Sequence, residues 1–168
     1  MGCQDTYYVG TFKGIGKVDG QVFIDSYSRV ADSKLYKEKT DLTRADLLND
    51  RVLPCCEQQG VPLLPILTDR GSEYKGKLAN HAYELFLSVA GLMPTVTRAY
   101  SPQTNGICER FNKTMKEEFF DVAMRKGLCT RLEELQRDLD AWLKYYHGER
   151  PDSGKYYYGK RPLQTVCS

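Results

Sequence analysis

Long apolar runs are missing from this sequence, and their absence excludes one class of protein at once. No stretch approaches the roughly 18 to 20 consecutive apolar residues that a membrane-spanning helix needs. The first turns of chain show no basic region followed by a hydrophobic stretch and a cleavage site, so the chain reads as cytosolic, with no membrane partner. Bulk charge is missing too. Lysine plus arginine number 24 against 22 aspartate plus glutamate, a net +2, which excludes histone-like binding by net charge and makes any polyanion site local. No C-x-x-C pair exists. The six cysteines (Cys3, Cys55, Cys56, Cys108, Cys129 and Cys167) are scattered, and His81 and His147 lie far from any cysteine cluster, so reduced thiols are expected rather than structural zinc or a disulfide framework. Repeats and low-complexity tracts are also lacking. What remains is 168 residues, 41% hydrophobic and 27% charged, the size and balance of one globular domain with its own core.

The order of elements predicts an α/β fold. Tyrosine, valine and phenylalanine, broken by Gly14, Gly16 and Gly20, predict strands near 4–11, 20–27 and 30–37 in a meander. From Asp41, read as an N-cap, Leu42, Ala45, Leu48 and Val52 set a helical period that runs to Gly60, with a kink expected at Pro54. Leu63, Leu64, Ile66 and Leu67 make a short apolar run that suits a strand buried on both faces. Leu78, Ala82, Leu85, Phe86 and Val89 mark a helix stopped by Gly91, and Met93 to Thr97 read as the last strand. Two helices follow. One spans about 105–126, and the other opens on a Thr130/Glu133 capping box and is carried by Leu132, Leu135, Leu139, Trp142, Leu143 and Tyr146. The expected division is a core over 1–148 and a basic, tyrosine-rich tail over 149–168. Strands first, then alternating helix and strand, imply a mixed sheet.

In an open α/β sheet, ligands gather beyond the carboxyl ends of parallel strands. Asp69 follows the 63–67 run and is the first candidate, although aspartate before Gly71 equally suits a tight turn. On the helix over about 105–126, Ile107, Cys108, Phe111, Met115, Phe119 and Val122 share one face. Taking Glu109 as zero, Asn112, Lys113 and Lys116 fall at about −60°, +40° and −20°, so an acid, an amide and two ammonium groups are expected to project away from the core. A solvated face with a Glu109–Lys113 pair is the plainer alternative. The polar segment from Tyr100 to Gly106, rich in hydrogen-bonding groups, reads as a loop built to meet a ligand. Residues 98–131 hold seven basic and four acidic side chains, a local +3 that suits nucleic acid. The first strands offer Asp5 and Asp25 as a further acid, and pattern alone does not choose between them.

Three blocks in order carry a resemblance: Gln4-Asp5-Thr6, then Leu67-Thr68-Asp69-Arg70-Gly71-Ser72-Glu73-Tyr74, then Tyr100 to Lys116, reading YSPQTNGICERFNKTMK. Together they resemble the catalytic core of DDE transposases and retroviral integrases, in particular bacterial insertion-sequence transposases with an integrase-type core. The resemblance implies a ribonuclease H-like fold, a five-stranded mixed sheet flanked by helices. It makes Asp5, Asp69 and Glu109 the catalytic, metal-binding triad and leaves Asp25 and Arg29 as structural or supporting residues. It implies Mg²⁺, with Mn²⁺ as substitute and two ions per site when DNA is bound, and no small-molecule cofactor. It assigns DNA contact to Gln103, Thr104 and Asn105 in a mobile active-site loop and to Arg110, Asn112, Lys113 and Lys116 on the helix. Element ends and target DNA are then the partners, a homodimer or higher oligomer the expected assembly, and the bacterial cytoplasm at the nucleoid the location.

The implied reaction is metal-dependent DNA phosphoryl transfer. Water nicks the element end, and the freed 3′-hydroxyl attacks target DNA, with no covalent protein intermediate. The alternatives are a catalytically silent DNA- or protein-binding remnant and a ribonuclease H-type nuclease. Three departures from the family pattern stand out. The interval of 39 residues between Asp69 and Glu109 is longer than usual, His147 stands where the tail motif has Asn, and Asp152 stands where it has His. Only four residues precede Asp5, so an excised core or truncated remnant is expected.

Overall fold

The computed structural model describes residues 2–60, 66–68, 77–92, 94–96, 102–150 and 162. Three antiparallel strands open the chain: β1 (Gly2–Phe12), β2 (Gly16–Asp25) and β3 (Ala31–Tyr36). The expected meander is present with a shifted turn. Gly14 and Gly16, both at φ +89°, make the first reversal, whereas Gly20 lies inside β2. A Cβ there would meet Val9, Leu35 and Ser33 at ordinary contact distance, so Gly20 marks close packing and not a break.

Helical chain follows as α1 (Asp41–Leu47), a π turn (Leu48–Val52) and α2 (Leu53–Gln59). The N-cap is Thr40 and not Asp41. Its hydroxyl accepts from the Thr43 amide at 3.2 Å while the Thr43 hydroxyl accepts from the Thr40 amide at 3.0 Å. Pro54 lacks an amide hydrogen, and the π turn just before it shifts the ladder by one residue, with the Leu53 N–H reaching back to the Leu48 carbonyl. The chain continues through β4 (Ile66–Thr68), α3 (Lys77–Val89) and β5 (Pro94–Val96). The expected strand start at Leu63 and Leu64 lies outside the described residues.

A long helical arm ends the described core: α4 (Pro102–Met115), a π turn (Lys116–Phe120), α5 (Asp121–Lys126) and α6 (Leu132–Gly148). The cap of α6 differs from expectation. The Glu134 carboxylate, not Glu133, collects the Thr130 and Arg131 amides at 3.0 and 3.3 Å.

The sheet has the order β3-β2-β1-β4-β5, with β1, β4 and β5 parallel and β1, β2 and β3 antiparallel. It is the expected mixed sheet flanked by helices. One face packs on α4 and α6 through Cys3, Val22, Ile24, Phe111, Met115 and Leu139, the other on α1 to α3 through Phe23, Leu47, Ile66, Tyr83 and Leu87. Burial on both faces explains why β2 is buried almost continuously. Side chains of α6 cover the outer edge of β3. Gln136 accepts from the Leu35 amide at 2.7 Å and donates to the Ser33 carbonyl at 3.2 Å, and His147 Nε2 meets the Ala31 carbonyl at 2.7 Å. An edge paired in this way is closed to a further strand. Among the described residues, no helix is long and apolar enough to cross a membrane. The tail beyond Arg150 lies outside the described residues except for Pro162.

Candidate active site

Alternation along β1 sends Asp5 toward α4, and two hydrogen bonds hold its carboxylate there. Oδ1 accepts from the Thr6 amide at 2.8 Å, and Oδ2 accepts from the Asn112 side-chain amide at 3.1 Å. Asn112 is 6% exposed, so the expected projection of its amide away from the core is not met. It follows Cys108 by one turn on the side of α4 that meets β1, where a polar group is satisfied by a carboxylate instead of water. Its Oδ1 is buried with no hydrogen-bond partner among the described residues.

Glu109 lies on α4 three residues before Asn112, and its side chain is exposed. No hydrogen bond or ion pair engages it among the described residues, and the expected Glu109–Lys113 pair is replaced by Lys113–Glu117 at 3.8 Å. Asp5 and Glu109 flank a common neighbour. The Cys108 thiol is pushed up first by its hydrogen bond to Cys3, then by burial, and further by the negative charges of Asp5 and Glu109.

Asp69 lies outside the described residues. The strand that precedes it in sequence ends at Thr68, whose parallel partner is Gln4, the residue before Asp5. Among the described residues, no three metal-ligating side chains gather at one point. Two carboxylates with hard oxygen donors, one of them oriented by a buried amide, nonetheless fit a divalent magnesium- or manganese-type cation better than a soft metal.

Arg110 is exposed. The Lys116 ammonium sits 3.0 Å from both Asp121 oxygens, which raises its pKa. Gln103, Thr104 and Asn105 belong to the first turn of α4 and not to a loop, because the helix starts at Pro102. Proline suits that position, where its missing amide hydrogen costs no helical bond. The side chains at 103–105 lie outside the described residues.

Asp25 takes the structural part expected of it. Its Oδ2 accepts from the Ser28 amide at 2.7 Å and hydroxyl at 2.8 Å, closing the β2–β3 turn in which Arg29 adopts φ +63°. Burial pushes the Asp25 carboxyl up, and the two Ser28 bonds together with the charge of the amino terminus bring it below its ordinary value.

Sequence reasoning missed the polar groups on the other side of β1. Gln4, 2% exposed, donates to the Arg44 carbonyl at 2.9 Å and accepts from the Tyr83 hydroxyl. Burial pushes the Tyr83 hydroxyl well up, which keeps it a donor. Thr6 donates to Gln21, and Gln21 donates to Thr43, both at 3.0 Å. Both neighbours of Asp5 are therefore tied down, Gln4 to α1 and α3 and Thr6 through Gln21 to α1. The available signal was the polar pair Gln4 and Thr6 at alternate positions of a strand-like segment.

Residues 90–157 match the family model described as the integrase core domain, a segment that contains Glu109, Asn112, Lys113 and Lys116. The insertion element IS136 uncharacterized proteins of Agrobacterium fabrum and Agrobacterium tumefaciens are each 32% identical over 87 residues, 52% of this chain. The chain covers 40% of those relatives' own length. Among solved structures, a chain of the simian T-cell lymphotropic virus intasome superposes with TM-score 0.75 at 17% identity, over 99% of this chain and 54% of that one. The HTLV-2 integrase catalytic core domain in complex with magnesium gives 0.68 at 17% identity, over 98% and 94%. The BIV integrase catalytic core domain gives 0.65 at 20% identity, over 99% and 92%. At these identities the structures establish the fold, that of ribonuclease H-like integrase cores. The chain is thus similar over residues 90–157 to the integrase core domain family, similar in part to the insertion-element proteins, and similar in fold to integrase catalytic cores.

Proposed function

We propose that the chain performs metal-dependent DNA phosphoryl transfer in transposition or integration, nicking DNA at an element end and joining the freed 3′-hydroxyl to target DNA. Asp5, Asp69 and Glu109 are the metal-holding carboxylates in this reading. The observation that carries it is the Asp5–Asn112 hydrogen bond, which brings the turn of α4 bearing Glu109 against the strand bearing Asp5. The pairing of Thr68 with Gln4 supports Asp69 as the third member, since each acid is the next residue in its chain segment.

A phosphodiester repels its nucleophile, and its leaving alkoxide needs charge stabilisation. When bound, divalent magnesium or manganese supplies the positive charge that favours the attacking oxygen and the departing one. The protein's own contribution is orientation. The Thr6 amide and Asn112 fix the Asp5 carboxylate, while Glu109 stands at the surface where a DNA strand can reach. Arg110, Lys113 and Lys116 are the phosphate-binding cations, with Gln103, Thr104 and Asn105 at the α4 N-terminus beside the strand. The pairs of Lys113 with Glu117 and Lys116 with Asp121 are exposed, so DNA phosphates displace them at little cost. A dimer or higher assembly on DNA, at the bacterial nucleoid, completes the reading.

The test is nicking of end-bearing duplex DNA with Mg²⁺ or Mn²⁺. Asp69→Asn and Glu109→Gln should each abolish it while leaving thermal unfolding unchanged, and Asp5→Asn should abolish it with the loss of one of the two hydrogen bonds its carboxylate accepts. Unchanged nicking by Asp69→Asn would remove the triad. A wild-type chain that binds DNA without cutting it would be a silent remnant, and preferential cutting of RNA–DNA hybrid would indicate a ribonuclease.

A further inference from the structure

The π turn that follows α4 falls where the helical arm buries two phenylalanines in succession. Phe119 and Phe120 are both buried with their rings 5.0 Å apart, and Phe120 lies 6.4 Å from the rings of Tyr7 and Phe12. Over Lys116–Phe120 the ladder widens, and the Asp121 N–H donates to the Lys116 carbonyl five residues back. In a regular α-helix, residues five apart diverge by about 140° and their side chains do not face each other. The π turn closes much of that angle. The Lys116 ammonium accordingly stands 3.0 Å from both oxygens of Asp121.

We propose that Asp121 is an internal competitor for DNA phosphate, holding Lys116 in an autoinhibitory contact that lowers affinity for DNA until a backbone phosphate takes its place. This rests on the reading that α4 meets a DNA strand. Seven residues of helix return Lys116 to within about 20° of the face that bears Glu109, about 10 Å along the axis. A strand lying beside Glu109 therefore passes Lys116. A carboxylate and a phosphate are alternative partners for an ammonium, since each offers anionic oxygens to its N–H groups.

The neighbouring cations are held less firmly. Lys113 stands 3.8 Å from Glu117, beyond hydrogen-bonding distance, and Arg110 is exposed with no ion pair among the described residues. Those two meet phosphate directly, whereas Lys116 must first leave two oxygens. The side chains of Lys116 and Asp121 are 53% and 36% exposed, so solvent weakens their attraction and the exchange costs little. Asp121 thus lowers DNA affinity by a modest factor and does not block the strand.

The test is binding of the full chain to a fluorescein-labelled DNA duplex, read by anisotropy in EDTA so that no cutting occurs, across about 50 to 200 mM KCl. Wild type, Asp121→Asn, Lys116→Gln and the double variant are compared. Both side chains are exposed, so the variants keep the fold. Asp121→Asn should tighten binding by up to about fivefold. It should also steepen the fall of log affinity with log salt by up to about 0.9, the contribution of one further phosphate. In the Lys116→Gln background the same substitution should give a smaller gain and no change of slope. An equal gain in both backgrounds would mean that Asp121 only repels DNA, and weaker binding by Asp121→Asn would mean that it presents Lys116 to the strand. Either result, or no gain at all, overturns the proposal. Absence of DNA binding by all four chains overturns it together with the DNA reading. Absence of cutting in Mg²⁺ with the gain in affinity present removes the phosphoryl-transfer reading alone.

Discussion

Asn112 donates its buried side-chain amide to Oδ2 of Asp5 across 3.1 Å, joining the last turn of α4 to the first strand of the sequence. Under the proposed function Asp5 is a metal ligand, and removal of a residue that orients such a ligand typically changes metal affinity or activity by about 10- to 100-fold. Asn112→Leu, which keeps the volume, should weaken Mn²⁺ binding by about that factor. The melting temperature should stay the same or rise, because the variant also removes an unpaired buried oxygen. Calorimetric Mn²⁺ titration with a thermal melt separates the two effects.

His147 gives the fold a pH dependence. Burial holds its pKa below the ordinary 6.5, against the raising effect of its Ala31 bond. Between the folded and unfolded values the unfolded chain binds more protons, so stability rises with pH there. The neutral ring's contribution is present above 6.5 and is lost as pH falls below it toward the depressed folded value. His147→Gln should flatten the fall in melting temperature from neutral to mildly acidic pH. Parallel curves for the two proteins would contradict this assignment.

Arg51 braces α6 across the edge of the sheet, reaching both Asp140 oxygens at 2.6 and 3.2 Å. Asp140 is partly exposed, so solvent screens the pair. A double-mutant cycle with Arg51→Ala and Asp140→Ala should give a coupling of about 1 kcal/mol or less in denaturant unfolding.

Phe111 packs its ring 5.2 Å from Tyr146 and 6.2 Å from Trp142, holding α4 on α6. Phe111→Ala should cost about 3–5 kcal/mol of unfolding free energy by leaving a cavity. A loss within 1 kcal/mol or so would mean the helices collapse into the space.

Periodicity made most elements legible because both layers of helices bury apolar stripes against the sheet. The long arm is recognisable from Ile107, Cys108, Phe111 and Met115, and the strands from their aromatic and β-branched residues. Local signals with two readings misled. Gly20 looks like a turn in sequence but lies inside β2 with Val9 and Leu35 packed beside it, and Thr104-Asn105-Gly106 looks like a loop although Pro102 has already started the helix. The π turns at Leu48–Val52 and Lys116–Phe120 add one residue to a turn, which a fixed angular step does not register. Asn112 was misplaced for a related reason. Its angle from Glu109 puts it at the border between the two faces, and only the carboxylate of Asp5, distant in sequence, decides that it turns inward.

In the proposed reading Asp5, Asp69 and Glu109 hold one divalent-cation site. Its most direct test is a crystal of the chain soaked in Mn²⁺ with a DNA end, read by anomalous scattering. The expected result is a peak whose coordination shell contains carboxylate oxygens of all three residues. A fully ordered structure with no such peak, or with any one of the three carboxylates directed away from the bound ion, would contradict it.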